Sequence, residues 1–439
     1  MQEKVTPRIL PGFMELLPAD QILFNEMYDK IRTAYESFGF LPLDTPTIEL
    51  SEVLLAKAGG ETEKQIYRFN KGDNDLSLRF DLTVPLARYV AAHYNDLVFP
   101  FKRYQMSKVF RGERPQKGRF REFYQCDIDI IGNEELDLIY DAEMPAVIYS
   151  VFKKLGIGDF VIRVNNRKVL GGFFSSLELA DRTEEILRII DKLEKIGRDA
   201  VVSELISLGV TEDKISRILD FVTLDIPRAA IFEKLRAMNI ENETFLTGVS
   251  ELETVTNAMA MLGMPEESFR VDLSIARGLD YYTGTVYETT IVGHPEFGSV
   301  CSGGRYDNLT GYYTDKKLPG IGISIGLTRL FSQLHSNGLI APKTGSIARV
   351  LILPMDKSAV PYSLSAASRF RAAGIPTDVY YGERGMKQKM KYAARLGVPY
   401  AAIIGADEIA AGTLALKDMA GEGGQKTVTV DEAVAILTK

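Results

Sequence analysis

The chain has 439 residues and a net charge of −7, with 46% hydrophobic and 25% charged residues. This length exceeds one ordinary hydrophobic core and predicts about two or three domains, and the net acidity argues against a protein that coats nucleic acid nonspecifically. No apolar run approaches the roughly 20 residues that span a bilayer, and the amino terminus lacks a secretory pattern, so we expect a cytoplasmic protein without membrane contact.

Two separated stretches share one pattern. Residues 1–167 and 263–336 alternate β-branched or aromatic runs with amphipathic helical segments, which predicts a mixed α/β domain built around an antiparallel sheet. Near the start, a helix ending around Ser37 precedes the proline-containing run 39–49. We therefore expect one domain whose sequence is interrupted.

The interruption, residues 168–262, is predicted to be a helical insertion. Apolar residues recur at helical spacing from Thr183 to Ile196, and Gly197 follows where a helix would end. Thr211 is placed to cap the next helix.

A third segment, residues 347–439, follows a linker at 337–346. An apolar strand pattern covers Val350–Pro354, and a basic helix is predicted for Met386–Leu396. Because strands and helices alternate here, we expect a small parallel or mixed α/β domain.

A basic hairpin is predicted near residue 115. Between Lys102 and Arg121 there are eight Lys or Arg residues, and Glu113 is the only acid. A strand ending at Arg111, a polar loop and a second strand rich in aromatics predict a hairpin whose base presents cations. Since the arginine fork stays charged and can bind two oxygens, a localised anion such as a nucleotide phosphate or a tRNA end is implied.

Two later segments complete the pattern. The run Leu318–Leu330 is a glycine-rich strand followed by a helix with Arg329 near its start, and its glycines are predicted to let a ligand approach closely. The run Arg277–Tyr282 places one fixed cation, one carboxylate and two phenols in six positions. This composition suits a small polar ligand bound beside an anion.

These segments, in this order, resemble the motifs of class II aminoacyl-tRNA synthetases, and Arg277–Tyr282 resembles the signature of histidyl-tRNA synthetases. The resemblance implies a class II antiparallel-sheet catalytic domain with a helical insertion, and a carboxy-terminal α/β anticodon-binding domain. The run 39–49 resembles the first motif, which implies a homodimer. The chain departs from the pattern at Thr328, where many family members have Glu.

The resemblance also implies an ATP site. Arg111 would hold the α-phosphate, Phe123 would stack under adenine, and Arg329 would contact the γ-phosphate. Glu113 and Arg119 are assigned to the same site. Arg277 would act with Arg111 and Arg329 on the charge that develops as the substrate carboxylate attacks the α-phosphate. ATP would enter with Mg²⁺ as a substrate complex, and no redox cofactor is expected.

A histidine pocket is implied beside the ATP site. Asp81 and Thr83, assisted by Gln125, would hold the α-amino group, because a buried ammonium requires a counter-charge. Asp129 and Tyr282 would recognise the two nitrogens of the imidazole. Two further residues are assigned to this pocket: Tyr281 in its wall, and Arg277.

The implied partners are L-histidine, ATP and tRNA(His). By resemblance, the loop residues Arg114, Gln116 and Lys117 would approach the acceptor end of the tRNA. Arg384 and Lys387, on or beside the basic helix, would contact the tRNA from the last domain. The implied function is ATP-dependent formation of histidyl-adenylate and transfer of the histidyl group to the 3′ end of tRNA(His).

Two alternatives stay open. A noncatalytic histidine-binding regulatory subunit of ATP phosphoribosyltransferase would share the catalytic fold, but such proteins usually lack the anticodon-type domain and degrade the ATP-binding arginines. A class II synthetase for proline, threonine or glycine would share the three general motifs but not Arg277–Tyr282.

The cysteines and histidines predict no metal site. The chain has two cysteines, Cys126 and Cys301, no CxxC pair and only three scattered histidines. We expect both cysteines to be reduced, small and buried apolar residues.

Overall fold

A computed structural model describes the following residues: 4–56, 61–114, 118–190, 192–275, 282–421 and 423–438. Its contacts separate the chain into two compact units, Met1–Met14 with Tyr28–Leu339 and Glu15–Met27 with Ile340–Lys439. Across the described ranges, no helix combines the length and the apolar character that a bilayer crossing would demand.

The amino-terminal elements alternate helix and strand. They are α1 (Pro18–Ser37), β1 (Leu41–Pro42), β2 (Ile48–Leu50), α2 (Ser51–Leu55), α3 (Glu61–Gln65), β3 (Arg68–Lys71), β4 (Asn74–Leu78), α4 (Thr83–Ala92), β5 (Phe101–Phe110), β6 (Glu122–Ile131), α5 (Ile139–Leu155) and β7 (Phe160–Asn166). The first helix ends at Ser37, as predicted. The hairpin of β5 and β6 is confirmed, because the two strands pair antiparallel along their full lengths.

The described residues of the predicted insertion form helices joined by short connections. Its helices are α6 (Arg167–Ser176), α7 (Thr183–Ile190), α8 (Leu193–Ile196), α9 (Arg198–Ser207), α10 (Glu212–Val222), α11 (Arg228–Arg236) and α12 (Glu243–Met261). The single helix expected over Thr183–Ile196 is therefore wrong, since α7 and α8 are separate helices. The cap at Thr211 lies where predicted, although its side chain accepts no capping hydrogen bond.

The rest of the first unit completes its main sheet. It contains β8 (Phe269–Val271), β9 (Thr285–Ile291), β10 (Cys301–Tyr306), β11 (Gly320–Gly326) and α13 (Leu327–Ser336). Among the described residues, eight strands form one sheet in the order β1-β5-β6-β11-β10-β9-β7-β8. Neighbours pair antiparallel except β1 with β5 and β7 with β8. This antiparallel sheet confirms the predicted fold class.

Smaller pieces accompany this sheet. Strands β2, β4 and β3 form a three-stranded antiparallel sheet in that order. Short 3-10 turns of the first unit cover Ala180–Arg182, Glu266–Ser268, Pro295–Phe297 and Thr310–Tyr312. Another, Lys357–Ala359, belongs to the second unit.

The second unit contains a separate mixed sheet. Its elements are β12 (Val350–Pro354), α14 (Val360–Ala372), β13 (Thr377–Val379), α15 (Met386–Leu396), β14 (Tyr400–Ile404), α16 (Ala406–Ala411), β15 (Thr413–Asp418), β16 (Gln425–Thr429) and α17 (Val430–Leu437). In the order β13-β12-β14-β15-β16, the first three strands are parallel and the last two pair antiparallel. The prediction of a mixed α/β domain is thus confirmed. The sequence pattern did not predict β16, α16 and α17.

The basic helix α15 does not present all of its cations to solvent. Lys387 and the preceding Arg384 are exposed, but Lys389 is 3% exposed. The Lys389 ammonium donates a hydrogen bond to the carbonyl of Pro354 at 2.6 Å. Lys389 therefore joins the helix to the sheet and is not part of a surface patch.

Candidate active site

A cavity of about 620 Å³ opens on one face of the main sheet. Strand β6 supplies the side chains of Phe123, Gln125, Asp127 and Asp129 to its lining. These residues alternate along the strand and so point to the same side. Asp129 lies six residue steps along the extended chain from Phe123, so these lining residues span roughly 20 Å along β6. Its two ends carry different chemistry.

Arg111 lies at the end of the cavity formed by the hairpin base. Its guanidinium lies 4.4 Å from the ring centroid of Phe80 and 5.1 Å from that of Phe123. Its Nε donates to the carbonyl of Phe80 at 3.3 Å. The two aromatic faces and this hydrogen bond fix the direction in which a permanent cation is presented.

Two more cations share that end. Arg329, in the first turn of α13, donates from Nη2 to the carbonyl of Phe297 at 2.6 Å, while its buried Nε has no hydrogen-bond partner. Burial, followed by the charge of Arg119, lowers the pKa of Arg329. Arg119 itself reaches Glu113 at 3.5 Å. Cations that line the same end of a cavity favour a bound anion there,.

The opposite end of the cavity is acidic. Asp129 is 2% exposed, and its Oδ2 lies 2.6 Å from Nη2 of Arg103, which is also completely buried. Its Oδ1 accepts a hydrogen bond from the hydroxyl of Tyr306 at 2.9 Å. Burial raises the pKa of Asp129 to about 6, although Arg103 and Tyr306 oppose the shift. Both oxygens of this carboxylate are therefore already engaged by the protein.

The glycines of β11 serve this acidic end. A Cβ at Gly322 would lie 2.1 Å from Oδ1 of Asp129, and a Cβ at Gly320 would lie 2.4 Å from the ring of Tyr306. Gly322 pairs with Asp129 across the sheet, and Gly320 pairs with Tyr306. Each glycine therefore makes room for a protein side chain, and Gly322 also lines the cavity. The close approach of a ligand at these glycines stays a prediction.

Gly322→Ala should destabilise the protein by at least about 1–3 kcal/mol, since the added methyl group must displace Asp129 from its buried partners. Urea unfolding measures the loss. Gly171→Ala is the matched control, because Gly171 lies within α6 and nothing lies within 4 Å of an added Cβ there. The control should be neutral or slightly stabilising. Equal stability of the two variants would contradict the role given to Gly322.

Other predicted residues line the middle of the cavity. Oδ1 of Asp81 accepts hydrogen bonds from the backbone N–H groups of Thr83 at 3.2 Å and Val84 at 2.9 Å, which holds the carboxylate at the start of α4. Gln125 donates from Nε2 to Oγ of Ser324 at 2.9 Å. Tyr282 is half-buried and packs against the cluster formed by Ala87, Tyr306 and Leu309.

The structure brings most of the predicted ATP and histidine residues into this one cavity. Those that line it are Asp81, Thr83, Arg111, Glu113, Arg119, Phe123, Gln125, Asp129, Tyr282 and Arg329. Arg114 is exposed and does not line it, and Arg384 and Lys387 are exposed in the second unit. Four predicted residues lie outside the described residues: Gln116, Lys117, Arg277 and Tyr281.

The cations of the dense basic patch from Lys102 to Arg121 have different partners in the folded chain. Arg103 is buried against Asp129, Lys102 reaches Glu143 at 2.5 Å, and Lys108 reaches Glu122 at 2.6 Å. Only part of this patch therefore faces the cavity, where Arg111 and Arg119 line it. A localised anion bound beside these two cations stays a prediction.

Sequence reasoning assigned no individual role to three residues that line the cavity, Asp127, Tyr306 and Ser324, or to Arg103, which is buried against Asp129. The antiparallel register of β5 and β6 places Arg103 opposite Asp129, so counting back from the hairpin loop could have found this pair. The contact of Tyr306 with Asp129 joins positions 177 residues apart, and no local signal indicates it.

Cys126 and Cys301 are free thiols, and both are buried, as expected. Among the described residues, no group of three or more His, Cys, Asp or Glu side chains is arranged to hold a metal ion.

Known proteins resemble both units of the chain. A family profile described as "Histidyl-tRNA synthetase" matches residues 12–330, and one described as "Anticodon binding domain" matches residues 349–439. A protein from Clostridium tetani named histidine–tRNA ligase is 55% identical over 434 residues, covering 99% of this chain and 98% of the relative.

Solved structures agree with these matches. The crystal structure of a histidyl-tRNA synthetase from Nostoc sp. PCC 7120 has a TM-score of 0.92 at 44% identity, with 99% of each chain covered. A structure from Bacillus halodurans, described as an ATP phosphoribosyltransferase regulatory subunit/histidyl-tRNA synthetase, has a TM-score of 0.76 at 21% identity. It covers 92% of this chain and 100% of that chain. At this identity the second likeness concerns the fold alone.

Proposed function

Because the chain belongs to the histidyl-tRNA synthetase family, we propose that its cavity joins L-histidine to ATP as histidyl-adenylate and that the enzyme then transfers the histidyl group to the 3′ end of tRNA(His). ATP is a substrate, and we propose that it enters complexed with Mg²⁺.

The single observation that carries this proposal is the separation of charge along one cavity. Arg111, Arg119 and Arg329 gather at one end, accompanied by Glu113, and Asp81, Asp127 and Asp129 line the middle and the opposite end. A triphosphate suits the cationic end, and an amino acid whose amine and ring donate hydrogen bonds suits the acidic end. The carboxylate of the amino acid would then lie between them, next to the phosphates.

In the first step, an oxygen of the histidine carboxylate attacks the α-phosphorus of ATP. A new bond forms between that oxygen and phosphorus, and the bond to the leaving pyrophosphate breaks. Arg111 and Arg329 would stabilise the charge on the nonbridging and leaving oxygens, because they are held in place before reaction. We assign the third cation to Arg277 on the family resemblance.

In the amino-acid pocket, we propose that Asp81, Thr83 and Gln125 hold the α-amino group. Asp129 and Tyr282 would recognise the imidazole, with Tyr281 in the wall. Because Asp129 already binds Arg103 and Tyr306, a bond to the ring must share an oxygen that the protein has oriented. That arrangement fixes the position of the acceptor and favours a ligand of imidazole shape.

The transfer step places tRNA against both units. We propose that Arg114, Gln116 and Lys117 in the hairpin loop approach the acceptor end, and that Arg384 and Lys387 contact the tRNA from the anticodon-binding domain. The exposure of Arg114, Arg384 and Lys387 supports contact with a large anionic partner,. A cytoplasmic homodimer, with domains bounded as the sequence predicts, is part of the same proposal.

A noncatalytic regulatory subunit is the less supported alternative. The chain retains Arg111 and Arg329 in the cavity, and its residues 349–439 match an anticodon-binding profile. A protein that only binds histidine would need neither the phosphate-binding arginines nor a tRNA-binding domain.

Pyrophosphate exchange into ATP, measured with each of the twenty amino acids, tests the proposed function. Exchange with histidine alone is expected, because only this amino acid combines an ammonium with a ring that offers both a donor and an acceptor. Absence of exchange, accompanied by histidine binding, would favour the regulatory subunit. Exchange with proline, threonine or glycine would replace histidine as the substrate.

A further inference from the structure

Asp127 is a buried carboxylate of the cavity to which the roles above assign nothing. It is 3% exposed and lies on the cavity-facing side of β6, between Gln125 and Asp129. In the sheet it pairs with Ser324 of β11. A charge in this position has a large desolvation cost, so its hydrogen bonds show what it is placed to do.

Two residues bear on Asp127: Gln125 and Ser324. Nε2 of Gln125 donates to Oγ of Ser324 at 2.9 Å, and Ser324, which lies directly opposite Asp127 in the sheet, opposes the rise in the pKa of that carboxyl. The hydroxyl of Ser324 therefore accepts from the amide nitrogen of Gln125. This direction turns the amide oxygen of Gln125 away from Ser324.

Two buried acceptors are left without partners by this arrangement. Oε1 of Gln125 and Oδ1 of Asp127 are both buried and make no hydrogen bond. Asp129 differs, because both of its oxygens are engaged by Arg103 and Tyr306. An unsatisfied buried acceptor is costly, so two of them in residues that line one cavity indicate a ligand that donates hydrogen bonds.

The electrostatics indicate that this ligand group is a cation. The pKa of Asp127 is raised to about 7, chiefly by burial; Arg103 and Ser324 oppose this rise, and the charges of Asp129 and Asp81 add to it. Arg103 is already paired with Asp129 at 2.6 Å. A cation bound beside Asp127 would restore its ionised form and offset the repulsion among the three carboxylates.

We infer that Asp127 is a further substrate-binding residue, which accepts a hydrogen bond from the α-ammonium group of histidine together with Oε1 of Gln125. An ammonium has three donors and no acceptor, whereas the neutral imidazole offers one of each. Two acceptors on the same face of β6, with the carboxylate of Asp81 lining the same cavity, match the ammonium. This inference rests on the proposed function, because it takes histidine as the ligand.

Asp127→Asn keeps the shape of the side chain and removes its charge. Titration calorimetry should compare three probes: L-histidine, histamine, which lacks the carboxylate, and 3-(imidazol-4-yl)propionate, which lacks the amine. The variant should bind histidine and histamine about tenfold or more weakly, because a charge-assisted hydrogen bond is lost. Its affinity for the propionate should stay within about twofold of the wild-type affinity.

Other results would overturn this inference. Equal weakening for all three probes would indicate a contact to the ring or a general disturbance of the pocket, and no weakening would remove Asp127 from the site. The thermal midpoint should be unchanged or higher in Asp127→Asn, since a buried charge is removed; a marked fall would indicate a structural residue. Asp159→Asn, at an exposed aspartate, is the matched control and should bind all three probes as the wild type does.

Failure of the inference is distinguishable from failure of the proposed function. If wild-type protein binds histidine and supports histidine-dependent exchange while Asp127→Asn binds equally well, only the role of Asp127 is wrong. If the wild type does neither, the proposed function is wrong.

Discussion

Arg111→Ala is expected to lower the rate of histidine-dependent pyrophosphate exchange by about 10²–10³-fold, the range found when one preorganised donor is removed from a developing anion. The guanidinium is held in place before any substrate binds, between Phe80 and Phe123 and against the carbonyl of Phe80. No reorganisation is therefore required when charge builds on the phosphate.

The dissociation constant of histidine should change much less, because Arg111 lies at the end of the cavity away from Asp129. Arg111→Lys should recover only part of the rate, since an ammonium cannot bind two oxygens as a fork does. Arg277→Ala should show the same pattern if its assigned role is correct.

Arg188→Ala, at a cation that is 69% exposed on α7, is the control and should exchange at the wild-type rate. Near wild-type exchange by Arg111→Ala would remove Arg111 from the reaction.

Arg103→Met should cause the largest loss of stability, about 3–5 kcal/mol, because it leaves Asp129 buried without its counter-charge. Arg103 is completely buried and contacts Asp129 at 2.6 Å. Arg68→Met is the matched control, since the ion pair of Arg68 with Asp75 is largely exposed and such pairs contribute less than about 1 kcal/mol. Urea unfolding of both variants measures the difference.

The loss in Arg103→Met should also depend on pH. The pKa of Asp129 is raised to about 6 and that of Asp127 to about 7, and removal of Arg103 raises both further. Folded protein then binds more protons than unfolded protein, so stability falls as pH rises through these values. The deficit relative to wild type should therefore be larger at about pH 8 than at about pH 5. A deficit independent of pH would show that Arg103 contributes packing alone.

Local patterns in the sequence predicted the elements that carry the site. The hairpin of β5 and β6, the glycine-rich strand followed by the helix that starts before Arg329, the strand Val350–Pro354 and the helix Met386–Leu396 lie where expected. The hairpin strands, the glycine-rich strand and the helices are defined by a periodicity of two or 3.6 residues with turn residues at their ends, and the fully buried strand Val350–Pro354 is defined by a short continuous apolar run,. Such signals depend on neighbouring positions only, so one chain contains them completely.

By itself, the sequence determined which residue types are available to the cavity, because the motifs place their charges and aromatics at fixed positions along strands. Only the tertiary structure decided which of those charges are available to a ligand. Arg103 and Arg111 lie in one basic run, yet Arg103 forms an ion pair with Asp129, whereas Arg111 lines the cavity. Asp127 and Asp129 differ in the same way, because Tyr306 and Arg103 engage only the second. The physical reason is that the cost of a buried charge depends on its partners, and these partners lie far away in the sequence.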